Sequence, residues 1–193
     1  MEKITEKFLF NKNKKSDINE HLDVLHEYSL RCEHITEMGI RWGSSIWAFL
    51  MSNPKKLIGY DIIRTEQINE IIDICSEYNI NFTFFEEDVL KTTIEETDLL
   101  FIDTLHTYNQ LISELNLHSS KVKKYIILHD TVSFGQHDEQ IYQHSSDLIK
   151  EQEVGKQGLI SAIHDFLNSE LGEFWIIEKE FKNNNGLTIL TRK

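Results

Sequence analysis

The sequence predicts an α/β fold, with a doubly wound, mostly parallel sheet of seven strands and helices on both of its faces. Short apolar runs alternate with helical patterns along residues 34–130, which is typical of a parallel sheet. The runs are continuously apolar, as expected of strands that are buried on both faces. An Asn-Gly turn near the C-terminus, at Asn185-Gly186, favours a closing antiparallel hairpin. The 193 residues fit one domain, and we expect it to span residues 1–193.

Apolar periodicity predicts the elements in chain order. Residues 1–15 are charged and Asn-rich around Phe8-Leu9-Phe10, and we expect a loosely held arm that packs on the domain or on a second subunit. Strands are predicted at residues 34–38, 56–61, 81–85, 97–103 and 125–130, with the hairpin strands at 174–181 and 187–191. Helices are predicted at residues 17–31, from Ser44, at 65–78, from about Tyr108, and at 159–167. The polar residues 131–155 form the long irregular insertion, where a substrate lid would lie.

The turn after the first strand has the pattern E-x-G-x-x-x-G, with Glu37, Gly39 and Gly43, and a helical pattern begins at Ser44. Glycines allow a ligand to approach the backbone, and the N–H groups at a helix start point toward it. A dinucleotide-binding turn would have G-x-G-x-x-G instead. An acidic residue at the position of Glu37 repels a phosphate and suits a cationic ligand. An ordinary strand–turn–helix with incidental glycines is the alternative.

Three of the predicted strands end in Asp and a fourth leads into the acidic turn Glu86-Glu87-Asp88, and ligands of open parallel sheets bind outside the carboxyl ends of the strands. These residues are Asp61, Glu87 with Asp88, Asp103 and Asp130. Asp61 lies about 20 residues beyond the glycine turn, where an acid accepts hydrogen bonds from a ribose. The alternative for such residues is that they cap helices, as Asp61 would cap the helix predicted near Thr65.

A pair of motifs, Asp103-Thr104-Leu105-His106 and His129-Asp130-Thr131, suggests chemistry at this edge. The two strands are expected to be neighbours, which places their ends about 5 Å apart. Asp103 and Asp130 could then share one hard cation such as Mg²⁺. His106 would lie next to the position of this cation, where it could take a proton from a substrate hydroxyl as general base. The alternative is that His106 only caps its helix.

The glycine turn resembles motif I of class I S-adenosylmethionine-dependent methyltransferases, a Rossmann-like family that ends in a similar hairpin. Over residues 33–166, the segments DLLFIDTLHTYNQLISEL, YIILHDT and GKQGLISAIHDFL resemble the branch of metal-dependent sugar and macrolide-sugar O-methyltransferases and cephalosporin-hydroxylase-type proteins. The resemblance implies Asp103 and Asp130 as metal ligands and His106 as base. It also implies S-adenosylmethionine as cofactor, with these contacts: Glu37, Gly39, Gly43, Ser44, Asp61, Glu87, Asp88, Val89 and Asp103, where Asp88 contacts the adenine and Glu87 is its alternate.

The sequence departs from this branch at His129, which stands where the first of two adjacent acids is expected. Histidine can ligate a metal, but it suits softer transition metals better than Mg²⁺. We therefore expect a metal site of Asp103, His129 and Asp130 with Mg²⁺ or another divalent cation. The alternatives are that His129 has a structural role or that the metal is weak or absent.

Composition limits the partners. The formal net charge of -12 disfavours nucleic acid, whose phosphates are bound by Lys and Arg. Two widely spaced cysteines, Cys32 and Cys75, indicate buried thiols in a reducing compartment. No segment has the length to cross a bilayer or the pattern of a signal peptide, so we expect a cytoplasmic protein without a membrane partner. The apolar arm is compatible with a homo-oligomer.

The expected function is methyl transfer from S-adenosylmethionine to a hydroxyl of a sugar or a glycosylated small molecule, assisted by a divalent cation. Two rival functions stay open. An NAD-dependent oxidoreductase is disfavoured because G-x-G-x-x-G is absent and the closing hairpin is present. A non-catalytic cofactor-binding subunit would bind the cofactor without transferring its methyl group.

Overall fold

A computed structural model describes residues 1–150 and 155–193 of the chain. Its seven strands form one sheet in the order β3-β2-β1-β4-β5-β7-β6. The strands are β1 (His34–Met38), β2 (Lys56–Asp61), β3 (Phe82–Glu86), β4 (Thr97–Ile102), β5 (Val122–His129), β6 (Trp175–Phe181) and β7 (Leu187–Arg192). The helices are α1 (Glu2–Asn13), α2 (Leu22–Ser29), α3 (Ile46–Met51), α4 (Glu66–Glu77), α5 (Tyr108–His118), α6 (Asp147–Lys150) and α7 (Leu159–Leu167).

The pairing of the strands confirms the predicted fold class. Strands β1 to β5 are parallel, whereas β7 pairs antiparallel with both β5 and β6. The strand order reverses direction after β1, so the ends of β1 and β4 border a crevice, the usual ligand position in such sheets. Strand β4 pairs with β5, as the proposed proximity of their two aspartates requires.

Apolar residues on both faces of the strands explain the continuously apolar runs. In β4, Leu99 and Phe101 belong to the core under α1 to α4, whereas Leu100 and Ile102 belong to the core under α5 and α7. All four are 4% exposed or less. Burying both faces of a strand removes the alternation of apolar and polar residues that a one-sided sheet shows.

The N-terminal segment differs from the loosely held arm predicted for residues 1–15. It forms α1, which packs against α3 and buries Ile4 and Phe8 in the main core. These two residues are one helical turn apart and therefore share a face. The Phe8-Leu9-Phe10 cluster is consequently divided, because Phe8 points into the core and Phe10 is 61% exposed.

The insertion predicted at residues 131–155 has no regular helix or strand between Asp130 and the start of α6 at Asp147. Its residues 151–154 lie outside the described part of the chain. Hydrogen bonds nevertheless tie the insertion to the domain, since Asn185 accepts from the backbone of Val132 and Ser133, and Phe134 accepts from Leu159. Within residues 1–150 and 155–193, none of the helices has the length and apolar character that a membrane span needs.

Candidate functional site

A cavity of about 420 Å³ opens at the carboxyl edge of the sheet, over the ends of β1, β2, β4 and β5. Its walls come from the glycine turn, from the strand ends and from the insertion. The lining residues are Asp17, Ile18, Gly39, Ile40, Arg41, Trp42, Ser44, Ser45, Tyr60, Asp61, Ile62, Ile63, Glu87, Asp88, Val89, Asp103, Thr104, Leu105, His106, Gln110, Asp130, Glu139, Tyr142, His144, Ser145 and Ser146. The site residues predicted from the sequence therefore line one cavity, with three exceptions. Glu37, Gly43 and His129 are not among the lining residues.

The glycine turn requires glycine at its first position. Gly39 has φ +85°, and a Cβ there would lie 2.0 Å from the carbonyl oxygen of Asp103. The backbones that follow β1 and β4 thus touch where the cavity begins. Gly43 also has a positive φ of +73°, and a Cβ there would meet Ile71 of α4 at 2.7 Å. Gly43 therefore serves the packing of the turn on α4.

Glu37 lies beneath the turn and is fully buried. Its Oε1 accepts a hydrogen bond from the hydroxyl of Ser45, whereas Oε2 has no partner among the described residues. Burial raises the pKa of Glu37 to about 8. The side chain of Glu37 does not line the cavity, but it can influence a ligand through Ser45, which does.

Asp61 lies at the end of β2 and holds the turn. Its Oδ2 accepts from the backbone N–H of Arg41 at 2.8 Å, and its Oδ1 accepts from that of Ile63 at 3.1 Å. The cap of α4 is instead Thr65, whose side chain accepts from Ile68. The alternative of Asp61 as cap of α4 is thus wrong, and Asp61 lines the cavity at the end of β2.

The acidic turn after β3 forms the far wall of the cavity with Glu87, Asp88 and Val89. Asp88 accepts from the backbone N–H of Leu90 at 3.0 Å and therefore shapes the turn. Val89 is 5% exposed and presents an apolar surface. Ile62 and Ile63, which follow Asp61, also line the cavity, so Val89 is not its only apolar side chain.

His106 is the centre of a network of three carboxylates. Its Nε2 lies 3.2 Å from Asp103 Oδ1 and 3.0 Å from Asp130 Oδ2, and its Nδ1 lies 2.8 Å from Glu139 Oε2. The cap of α5 is Thr107, whose hydroxyl accepts from Gln110 at 3.2 Å. His106 is therefore not a helix cap, and its ring faces the cavity edge.

The charges of this network favour a protonated His106. Burial lowers the pKa of its imidazole, but the hydrogen bonds to Asp103 and Glu139 and the charge of Asp130 outweigh burial and raise that pKa to about 10. Burial likewise raises the pKa of Asp103, yet His129 and His106 hold the pKa of this carboxyl below its usual range. The folded protein therefore favours a positive charge on His106 beside the ionised Asp103.

Asp103, His129 and Asp130 offer ligand atoms that all lie within 4.8 Å of one another. His129 Nδ1 is 3.2 Å from Asp103 Oδ1 and 3.5 Å from Asp130 Oδ2. Asp130 has φ +58° and its Oδ1, although buried, has no partner among the described residues. A buried orphan oxygen in a strained backbone is expected where a ligand completes the site. Two carboxylates and one imidazole fit a divalent cation, and better a transition metal than Mg²⁺.

Sequence reasoning missed the residues that the insertion adds to the site. Glu139 and Tyr142 line the cavity, and the ring of Phe134 stacks on His106 with centroids 4.9 Å apart and planes 2° from parallel. In the sequence the adjacent acids Asp138-Glu139 were the signal available. Their contacts depend on how a polar segment without periodicity folds back, which local patterns do not encode.

A second buried acid near the site gives a pH-dependent prediction. Glu114 of α5 is fully buried and accepts from Thr104 and Gln110 through Oε1, and burial raises its pKa from 4.5 to about 7. The folded protein therefore binds this proton more tightly than the unfolded chain, so that stability falls as pH rises from about 4.5 to 7. Between pH 5 and pH 8, we expect the unfolding free energy of the wild type to fall by up to about 3 kcal/mol more than that of Glu114→Gln. Urea unfolding at the two pH values measures this difference. A constant difference between variant and wild type at both pH values would contradict it.

The comparisons with known proteins support the fold. No protein-family model matches the sequence, and no curated protein matches it. Among solved structures, the Podospora anserina methyltransferase PaMTH1 with bound SAH has a TM-score of 0.64 at 12% identity, covering 98% of this chain and 87% of its own. The N-methyltransferase NodS of Bradyrhizobium japonicum WM9 with S-adenosyl-L-homocysteine has a TM-score of 0.61 at 12% identity, and the match covers 99% of this chain and 97% of NodS. An O-methyltransferase family protein of Burkholderia thailandensis has a TM-score of 0.60 at 11% identity, and the match covers 91% of this chain and 56% of that protein. The chain therefore has the Rossmann-like fold of these methyltransferases.

Proposed function

We propose that the protein transfers the methyl group of S-adenosylmethionine to a hydroxyl oxygen of a small molecule. The observation that carries the proposal is the convergence of a close-approach glycine turn with His106, Asp103 and Asp130 on one cavity. Structures of the same fold hold S-adenosylhomocysteine, which supports a cofactor of this kind here.

The cavity has the parts that such a cofactor needs. The turn around Gly39 would receive the amino acid portion, and Asp61 would accept hydrogen bonds from the ribose. The apolar Val89, Ile62 and Ile63 would enclose the adenine, beside Glu87 and Asp88. This order would run from β1 to β3 along the sheet, and the sulfonium would then lie toward the ends of β4 and β5. Aligning the methyl group with an attacking oxygen is then the main task of the protein.

His106 is the residue that would take the proton from the acceptor hydroxyl. A base must be neutral, whereas three carboxylates favour the imidazolium. Neutral His106 is favoured when another positive charge, the sulfonium or a divalent cation, lies against Asp103 and Asp130. Binding of the reactants would thereby prepare Nε2 to take the hydroxyl proton as the C–O bond forms. Methyl transfer to the acceptor oxygen would leave the cofactor as a thioether, and Nε2 of His106 would hold the proton that the hydroxyl loses.

We include a divalent cation in the proposal, held by Asp103, His129 and Asp130. Such a cation would supply Lewis acidity to the acceptor oxygen. Because His129 replaces a carboxylate, we expect calorimetry at pH 7.5 to show tighter binding of Zn²⁺ than of Mg²⁺, and His129→Asp to shift the preference toward Mg²⁺. Asp130→Asn should weaken both ions. An absence of binding by either ion to the chelator-treated wild type would remove the metal from the proposal.

The acceptor class that we propose is a sugar or a glycosylated small molecule. Rim residues Trp42, 62% exposed, and Tyr142, 54% exposed, offer aromatic faces next to carboxylates, which suits a polar ring with hydroxyl groups. The net charge of -12 argues against a nucleic acid acceptor. Cys32 and Cys75 are buried free thiols, which supports the reducing cytoplasm as its setting.

Binding of S-adenosylhomocysteine tests the proposed function. We expect this product to raise the melting temperature in a thermal-shift assay, and NAD to leave it unchanged, because the turn lacks the glycines that admit a pyrophosphate. The Asp61→Ala variant should bind S-adenosylhomocysteine about 10- to 100-fold more weakly, since it loses charge-assisted hydrogen bonds to the ribose and to the backbone N–H groups of Arg41 and Ile63. Stabilisation by NAD alone would favour an oxidoreductase. Binding without transfer to any acceptor would favour a non-catalytic subunit.

A further inference from the structure

One part of the insertion is built around His106, and its key residue is Glu139. Glu139 Oε2 lies 2.8 Å from His106 Nδ1 and accepts from the backbone N–H of His106 at 3.2 Å. In return, the backbone N–H of Glu139 donates to the carbonyl oxygen of His106 at 2.8 Å. Three hydrogen bonds thus join two residues that are 33 positions apart in the sequence. A solvated loop acid would not show this reciprocal pairing.

The insertion is fixed on both sides of this pair. Asp138 Oδ1 accepts from the backbone N–H of Tyr108 at 2.8 Å and from that of Gly158 at 2.7 Å, which ties it to the starts of α5 and α7. The hydroxyl of Tyr142 donates to the second oxygen of Glu139. Both carboxylate oxygens of Glu139 are therefore occupied, and its side chain is only 15% exposed. The carboxylate is consequently held in one orientation.

The ring of His106 is held in the same way. Phe134 stacks on one face, and only 13% of the His106 side chain is exposed. An ionised carboxylate can only accept hydrogen bonds, so the bond to Glu139 favours a proton on Nδ1 in the protonated ring and also in the neutral ring. The other nitrogen, Nε2, then points at Asp103 and Asp130 and at the cavity.

We propose that Glu139 is a positioning residue, which holds the His106 ring with Nδ1 committed to the insertion and Nε2 aimed at the acceptor. This inference rests on the proposed function and deepens it. The insertion would then hold the ring of His106 in place, in addition to covering the substrate. It also gives a reason for the many hydrogen bonds of residues 131–146, which form no regular helix or strand. Partners of this kind fix the tautomer and orientation of a functional histidine.

Nuclear magnetic resonance of the full chain labelled with ¹⁵N-histidine tests the proposal without a known acceptor. Two-bond ¹H–¹⁵N spectra distinguish the two ring nitrogens, and the His106 signals are assigned by their loss in His106→Asn. In the wild type we expect a protonated, hydrogen-bonded Nδ1 with a slowly exchanging proton. In Glu139→Ala that Nδ1–H signal should be lost. In the near-isosteric Glu139→Gln it should persist with a changed shift, because the amide oxygen still accepts.

The matched control is Glu170→Ala, which removes an exposed glutamate outside the site and should leave the His106 signals unchanged. Once an acceptor is found, Glu139→Ala should lower kcat about 10- to 100-fold at an unchanged KM for S-adenosylmethionine, and Glu139→Gln should restore part of the loss. A His106 Nδ1 signal in folded Glu139→Ala that matches the wild type would overturn the proposal. Failure of the wild type to bind S-adenosylhomocysteine would overturn the proposed function instead, since the Nδ1 signal does not depend on it.

Discussion

Replacing His106 by asparagine is expected to lower methyl transfer about 100- to 10,000-fold, the usual contribution of a general base. The reason is geometric, because Nε2 of His106 lies 3.0–3.2 Å from Asp130 and Asp103 at the cavity edge. The asparagine amide can still accept and donate hydrogen bonds there, but it cannot take a proton at neutral pH. Turnover would be followed by mass spectrometry, with a panel of sugars and glycosides as acceptors.

The matched control for this variant is His164→Asn, because His164 is an exposed histidine on α7. It should keep wild-type turnover. Calorimetry should show that His106→Asn binds S-adenosylhomocysteine as the wild type does, since His106 is not among the proposed contacts of this product. If His106→Asn retains turnover within tenfold of the wild type, the assignment of His106 as base is wrong.

Substitution of Gly39 by alanine is expected to lower the free energy of unfolding by about 3 kcal/mol and to abolish cofactor binding. The new Cβ would lie 2.0 Å from the carbonyl oxygen of Asp103, so the ends of β1 and β4 would have to separate. The φ of +85° adds strain for any L side chain. Urea unfolding measures the stability, and calorimetry with S-adenosylhomocysteine measures the binding.

Gly155→Ala is the control for the change of glycine to alanine, because a Cβ at Gly155 meets no atom of the described residues within 4 Å. Its unfolding free energy and its affinity for S-adenosylhomocysteine should match those of the wild type. Equal stability of Gly39→Ala and Gly155→Ala would show that the turn can relax. In that case Gly39 would not define the floor of the cavity.

Local patterns in the sequence determined the sheet and its edge. Continuous apolar runs identified the strands from β1 to β5, and the Asn185-Gly186 turn identified the closing hairpin. Because parallel strands end on one edge, the positions of Asp61, Asp103 and Asp130 followed from strand ends alone. These signals are local in the chain, and for that reason they can be read without coordinates.

The tertiary structure alone decided the partners of these residues. Glu139 reaches His106 across 33 residues of chain, and α1 buries Ile4 and Phe8 against a helix that comes far later. Only the three-dimensional arrangement shows His106 among three carboxylates with a pKa raised to about 10. Such contacts depend on how irregular segments fold back on the sheet. A periodic pattern encodes which face of an element is buried, but it does not encode which distant side chain meets that face.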